Sequence, residues 1–307
     1  MSAGGGTKAI IAALLANAGI ALAKFIGYLV TGSSSMLAEA VHSVADTSNQ
    51  ALLLLGQRRA RRKATQQHPF GYGRDRYFYS FIVALLLFSL GSVFALYEGF
   101  HKLESDESLT SPLVAIVILV VAIVLESLSF RTAIRESRPL KGNGTWWQFI
   151  RQSKTPELPV VLLEDAGALL GLFLALGGVG LTVLTGDIVW DAIGTLCIGV
   201  LLGVIAIILI VETKSLLIGE GSGPVEERTI RQALVGGGVD RVIHLRTQYL
   251  GPDELLIAAK IAVPVTMSST EIARIIDEAE VRVRGAVPAA RIIYLEPDLD
   301  RTPATSG

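Results

Sequence analysis

Six apolar windows, each close to the ~20 residues needed to cross a hydrocarbon core, fill the first two thirds of the chain. They run Ala9–Thr31, Ser34–Gly56, Tyr77–Gly99, Pro112–Arg131, Pro159–Leu184 and Ile188–Val211. Beyond Val211 the period changes. Pro224–Val235 reads as an amphipathic helix, Val239–Tyr249 and Leu255–Val265 as alternating strands, Ser269–Arg284 as a helix and Arg291–Leu295 as a strand. Gly251–Pro252–Asp253 supplies a hairpin turn, and Ser268 through Glu271 a helix cap. The pattern predicts an α-helical membrane domain over residues 1–212, a small α+β domain of order αββαβ over 213–300, and a disordered tail over 301–307.

Charge orients the spans. The connection Gln57–Arg76 is strongly basic, His101–Ser111 is acidic, Arg131–Leu158 is basic again, and the turn around Asp187 has no basic residue. Under the positive-inside rule this alternation puts both termini and the αββαβ domain in the cytoplasm or its topological equivalent. Composition agrees: 51% of residues are hydrophobic and 18% charged, and a net charge of −1 gives no footprint for nucleic acid. The single Cys197 excludes a disulfide framework. Lys8 precedes an apolar run of full spanning length with no convincing cleavage site, so no cleaved signal is expected. No transit peptide and no His-rich loop are read, which favours a bacterial inner membrane.

The candidate chemistry lies inside the apolar windows. A carboxylate at bilayer depth costs about 2.5–3.5 kcal/mol, so it normally faces a partner, an ion or water. Glu39, His42, Asp46 and Asn49 recur at spacings of three and four, which lines one face of the second span with nitrogen and oxygen donors. Glu164 and Asp165 follow four apolar residues in the fifth span. Neighbours on a helix point about 100° apart, so at most one lies squarely opposite His42 and Asp46. Facing helices with these groups can hold a borderline divalent ion; the plainer alternative is a hydrogen-bonded His/Asp pair that only ties helices together. Glu126 in the fourth span either carries protons or pairs with a polar neighbour. Asn17 and Lys24 share a face of the first span, where simple hydrogen bonding or snorkelling accounts for them. The basic run Arg58–Lys63 is an orientation signal with scope for lipid headgroup contacts.

Taken together, the six spans, His42-x-x-x-Asp46, the loop His68–Pro69–Phe70–Gly71–Tyr72–Gly73–Arg74 and the αββαβ domain resemble the cation diffusion facilitator family. The resemblance runs from about Ile10 to Pro297 and is closest over Gly32–Asp46. It implies a homodimeric exporter that exchanges a divalent metal, most often Zn(II), for protons by alternating access, with paired ligands on the second and fifth helices and a metallochaperone-like cytoplasmic domain. Asp165 and Gly171 fit the family's fifth-helix frame, which puts Val161 where another ligand would stand. That departure, with Leu162–Leu163–Glu164–Asp165, resembles the branch that includes the animal mitochondrial zinc transporter. Tyr72 replaces a histidine found in several members, leaving His68 as a weak loop site. His244, Tyr294 and Glu296 do not reproduce the family's soluble zinc cage, so the domain is expected to dimerise without a full binuclear site.

The resulting expectation is a Zn(II)/proton antiporter using His42, Asp46 and Asp165, with Glu164 as fourth ligand and Glu39, Asn49 and Glu126 as supporting groups or a proton path. Mn(II), Fe(II) or Co(II) are alternative cargoes, and a metal-responsive membrane scaffold or sensor without transport is the alternative function. An enzyme is not expected, because no other cluster supplies a catalytic base, nucleophile or substrate pocket. The expected partners are membrane lipid, a second copy of the chain and the divalent ion, with no nucleic acid.

Overall fold

A computed structural model describes residues 7–31, 34–104 and 112–299, the side chains at 27, 28, 30–42, 45 and 112 excepted. Among the described residues, five helical stretches are long and apolar enough to cross a membrane: Thr7–Ile26, Asp75–Glu104, Leu113–Lys141, Glu157–Thr185 and Val189–Ile218. The remaining expected span lies in α2 (Ser34–Ala60), a helix of 27 residues. At about 1.5 Å per residue its length exceeds a ~30 Å hydrocarbon core. It falls outside the apolar set because Asp46, Asn49, Gln50, Gln57, Arg58 and Arg59 dilute its hydrophobicity.

The other long helices are α1 (Thr7–Thr31), α3 (Asp75–Leu86), α4 (Phe94–Glu104), α5 (Pro112–Lys141), α7 (Glu157–Thr185) and α8 (Val189–Ile218). A π-helical turn over Leu87–Val93 joins α3 to α4 as one continuous span. Several helix ends run past the apolar windows, the third span reaching Glu104 and the sixth Ile218, and one connection holds an unforeseen helix. The fourth span continues past Arg131 to Lys141, since its good helix formers do not stop where the apolar run stops. The connection after it contains α6 (Trp146–Gln152), whose capping box pairs Thr145 with Gln148.

By spatial grouping, one unit holds the chain to Arg62 together with Asp75–Lys214, and a second holds Lys63–Arg74 with the chain from Ser215. An expectation of a membrane domain over 1–212 did not foresee the transfer of Lys63–Arg74. In the first unit α1 packs along α2 and α5, α2 along α3, and α5 along α7. Its core gathers Ile10, Leu53, Val83, Leu158, Val161 and Leu209, all buried. Glycines allow close helix approach: a Cβ on Gly199 of α8 would stand 2.9 Å from the Leu96 backbone nitrogen of α4. Ser92 fixes the same junction by donating to the Gly199 carbonyl at 2.8 Å.

In the second unit α9 (Pro224–Leu234) precedes β1 (Arg241–Gly251) and β2 (Glu254–Ala262), and α10 (Ser269–Ala286) precedes β3 (Ala290–Asp298). The sheet order is β1-β2-β3, with β1 antiparallel and β3 parallel to β2. A parallel pair needs a crossover, which α10 supplies. Alternation along the strands points Leu255, Ile257 and Ile261 inward to meet Ile230, Leu234, Ile275 and Val283 from the two helices. Ser268 and Glu271 form the expected capping box at α10. The Lys63–Arg74 segment lies on the β1–β2 turn so closely that a Cβ on Gly73 would stand 2.6 Å from the Leu250 carbonyl oxygen.

Candidate metal centre

The first half of α7 is packed from Glu157 to Leu162, so the chain delivers Glu164 and Asp165 into protein rather than lipid. Both acids are buried, Glu164 at 6% exposure and Asp165 at 1%. Their hydrogen bonds go in different directions, as adjacent helical positions require. Glu164 Oε1 accepts from Asn49 Nδ2 of α2 at 3.2 Å. Asp165 Oδ2 accepts from Ser129 Oγ of α5 at 2.8 Å. Glu126, one turn before Ser129 and also buried, lies against the Asp165 carboxyl. Half-buried Asp46 faces Glu164 within electrostatic range. The second carboxylate oxygen, Glu164 Oε2, is buried with no hydrogen-bond partner.

Asp46, Glu164, Asp165 and Glu126 therefore form an acidic core across α2, α7 and α5. A cation or protons must offset its charge in a poorly solvated interior. Glu164 is the fifth-span acid that bonds to α2, whereas Asp165 is anchored to α5. Val161 is fully buried in the apolar cluster beside Leu158 and Val160, so it contributes packing at the position where the family frame has a ligand. His42 and Glu39 belong to α2, but their side chains lie outside the described residues. Among the described residues no three His, Cys, Asp or Glu side chains converge as a ready-made ion cage.

Sequence reasoning overlooked two polar neighbours. Gln50 is completely buried, accepts from Asn17 Nδ2 of α1 at 3.3 Å, and lies beside Glu164. Ser129 is the other. Its spacing of three from Glu126 was the available signal, whereas Gln50 could be placed only by knowing how α1 and α2 pack.

The secondary candidates remain separate. His68 is exposed and packs its ring against Tyr72, centroids 4.6 Å apart. His244 is exposed and its Nε2 accepts from Arg246 Nε at 2.9 Å. Glu296 pairs with Lys260 at 3.0 Å, on a strand where Tyr294 is exposed.

A model of the cation efflux transmembrane domain matches residues 10–218. The chain belongs to the cation efflux, or cation diffusion facilitator, family. Like other members of the cation efflux family it is an integral membrane protein, with the helical spans described above and a small C-terminal sheet domain. It is 36% identical over 239 residues to the "Proton-coupled zinc antiporter SLC30A9, mitochondrial" of Xenopus laevis, covering 77% of this chain and 43% of that protein. The Homo sapiens protein of the same name is 32% identical, covering 77% and 42% respectively. "Metal tolerance protein C4" of Arabidopsis thaliana is 30% identical over 259 residues, covering 83% of this chain and 56% of that protein. The chain thus spans less than half the length of the antiporters it matches. Among solved structures, a nickel form of a MamM C-terminal domain variant aligns with 26% of this chain and 100% of its own, at 20% identity and a TM-score of 0.25.

Proposed function

We propose that the protein exports a divalent metal cation, Zn(II) foremost, across its membrane in exchange for protons. The observation that carries this reading is the buried acidic core made by Asp46, Glu164 and Asp165 at the α2–α7–α5 junction. Two of the relatives are zinc antiporters by name. His42 adds the imidazole that a borderline ion favours, and Glu164 takes the place of the ligand that Val161 cannot supply. Ligation requires neutral imidazole and ionised carboxylate, so metal and protons compete for the same groups. That competition couples the two fluxes. Glu126, against Asp165, is the neighbouring group through which a proton passes, with Glu39 as a further support.

We place both termini on the cytoplasmic side of the membrane, or its topological equivalent, on the alternation of basic and acidic connections. An oxygen-rich set that lacks a second nitrogen ligand also suits harder ions, so Mn(II) is the second cargo to measure. The test is zinc and manganese uptake into proteoliposomes under an imposed pH gradient, for the unmodified protein, Asp46→Ala and Asp165→Ala. Flux that follows the gradient and vanishes in both variants is expected. Full activity in either variant refutes the site, and metal binding without flux in the unmodified protein points to a scaffold or sensor.

A further inference from the structure

Two buried polar atoms in the membrane core have no close hydrogen-bond partner, Gln50 Nε2, a donor, and Glu164 Oε2, an acceptor, although the Gln50 carboxamide reaches toward the Glu164 carboxyl. Leaving such a group unmade costs about 1–3 kcal/mol, so an arrangement that keeps both calls for a reason. The surrounding bonds supply one. Asn17 of α1 donates to Gln50 Oε1 at 3.3 Å, which fixes the carboxamide and commits Nε2 to the opposite side. Asn49, the next residue on α2, donates to Glu164 Oε1 at 3.2 Å. The carboxylate is thereby held by Asn49 on one oxygen, with the Gln50 carboxamide beside it and no close donor on Oε2.

We propose that Asn17, Gln50 and Asn49 form a carboxamide brace that orients Glu164 so that Oε2 is presented to the transported cation, making Asn17 and Gln50 positioning residues for ion affinity. The inference rests on the proposed function, because it takes Glu164 as a ligand. It adds that the first helix sets affinity through Asn17. The chemistry has the right sign: a cation takes the lone pairs of Oε2, and Asn49 polarises the carboxylate from the far oxygen. The carboxamides carry no charge, so the brace orients the acid without neutralising it.

The experiment is zinc transport by the full chain in proteoliposomes, with KM and kcat measured separately, beside equilibrium zinc binding. Loss of an outer-shell partner typically weakens metal affinity about 10–100-fold. Gln50→Met preserves shape and removes the carboxamide; it should raise KM and the zinc dissociation constant in that range while leaving kcat within about twofold. Asn17→Ala should shift both constants in the same direction, Asn17→Ser should recover most of the loss, and the Asn17→Ala/Gln50→Met double variant should be no worse than Gln50→Met. If Gln50→Met does not fold, the Asn17 pair decides the matter alone. Unchanged KM in a folded variant, or a fall in kcat alone, overturns the proposal. Glu164→Gln separates the failures: if it keeps the normal KM, the ligand assignment itself is wrong. If Glu164→Gln loses affinity while Gln50→Met and Asn17→Ala do not, only the brace is.

Discussion

Glu157→Gln tests how the start of α7 is secured. Glu157 receives two hydrogen bonds from Arg76 at the start of α3, Nε to Oε1 and Nη2 to Oε2, the latter at 2.9 Å. The two side chains are 10% and 1% exposed. An exposed ion pair contributes about 0–1 kcal/mol, but removing one partner of a buried pair costs about 3–5 kcal/mol, a figure that a further interaction of Arg76 tempers here. Glutamine keeps the shape and one acceptor, which places the expected loss near the lower figure, about 3 kcal/mol. The acid also sits in the first turn of α7, where the helix dipole adds about 0.3–1 kcal/mol. By the scaling known for soluble domains, this lowers the unfolding midpoint by on the order of 10 °C. Thermal unfolding in detergent, followed by intrinsic fluorescence, gives the readout. Arg76→Met/Glu157→Leu removes both charges together and should lie much closer to the unmodified protein. A Glu157→Gln shift corresponding to under about 1 kcal/mol, or a double variant as damaged as the single one, would refute the buried-pair reasoning.

Gly199→Val should destabilise the α4–α8 junction by about 1–3 kcal/mol or more, because Leu96 leaves no room for it, as differential scanning fluorimetry would detect. Gly177→Ala on α7 meets nothing within 4 Å and should be neutral or slightly stabilising in the same assay. Ser268→Ala removes the α10 cap that accepts from Glu271, and should cost about 1 kcal/mol, seen as faster amide exchange in the first turn of that helix. Gly73→Ala should lift Gly71–Arg74 from the hairpin turn and open the half-buried Arg74 to trypsin; unaltered cleavage after Arg74 would count against that packing.

The helical spans were legible because lipid imposes a length and a polarity that few other constraints override. The exception is instructive: α2 is the helix whose polar residues make the candidate site, so the feature that identifies its function weakens its signal as a span. The αββαβ order was also readable, since the core-facing residues of β2 alternate and α10 announces its own cap. What could not be read was side-chain pairing across helices. Asp165 has the family spacing, yet it bonds to Ser129 while Glu164 bonds to Asn49, a division set by the rotation of α7 against α2 and α5. Arg76 and Glu157 read as members of two separate basic connections because sequence distance hides a contact across 81 positions. The helix α6 was announced by Thr145-x-x-Gln148, but its seven residues are too few for periodicity to reveal.

The seating of Gly73 against Leu250 and Gly251 alters what it means to cut this protein in two. The second unit is assembled from separated stretches, so the chain passes between units after Arg62, after Arg74 and after Lys214. A stop codon after Lys214 would not excise a domain. It would delete the hairpin and leave Lys63–Arg74 tethered at both ends with its bed gone, a bare basic loop joining α2 to α3. Activity lost on such truncation therefore cannot be credited to the sheet domain alone, and an isolated fragment beginning at Ser215 would expose the backbone that Gly73 normally covers. A faithful dissection supplies the loop in trans or grafts it onto the fragment.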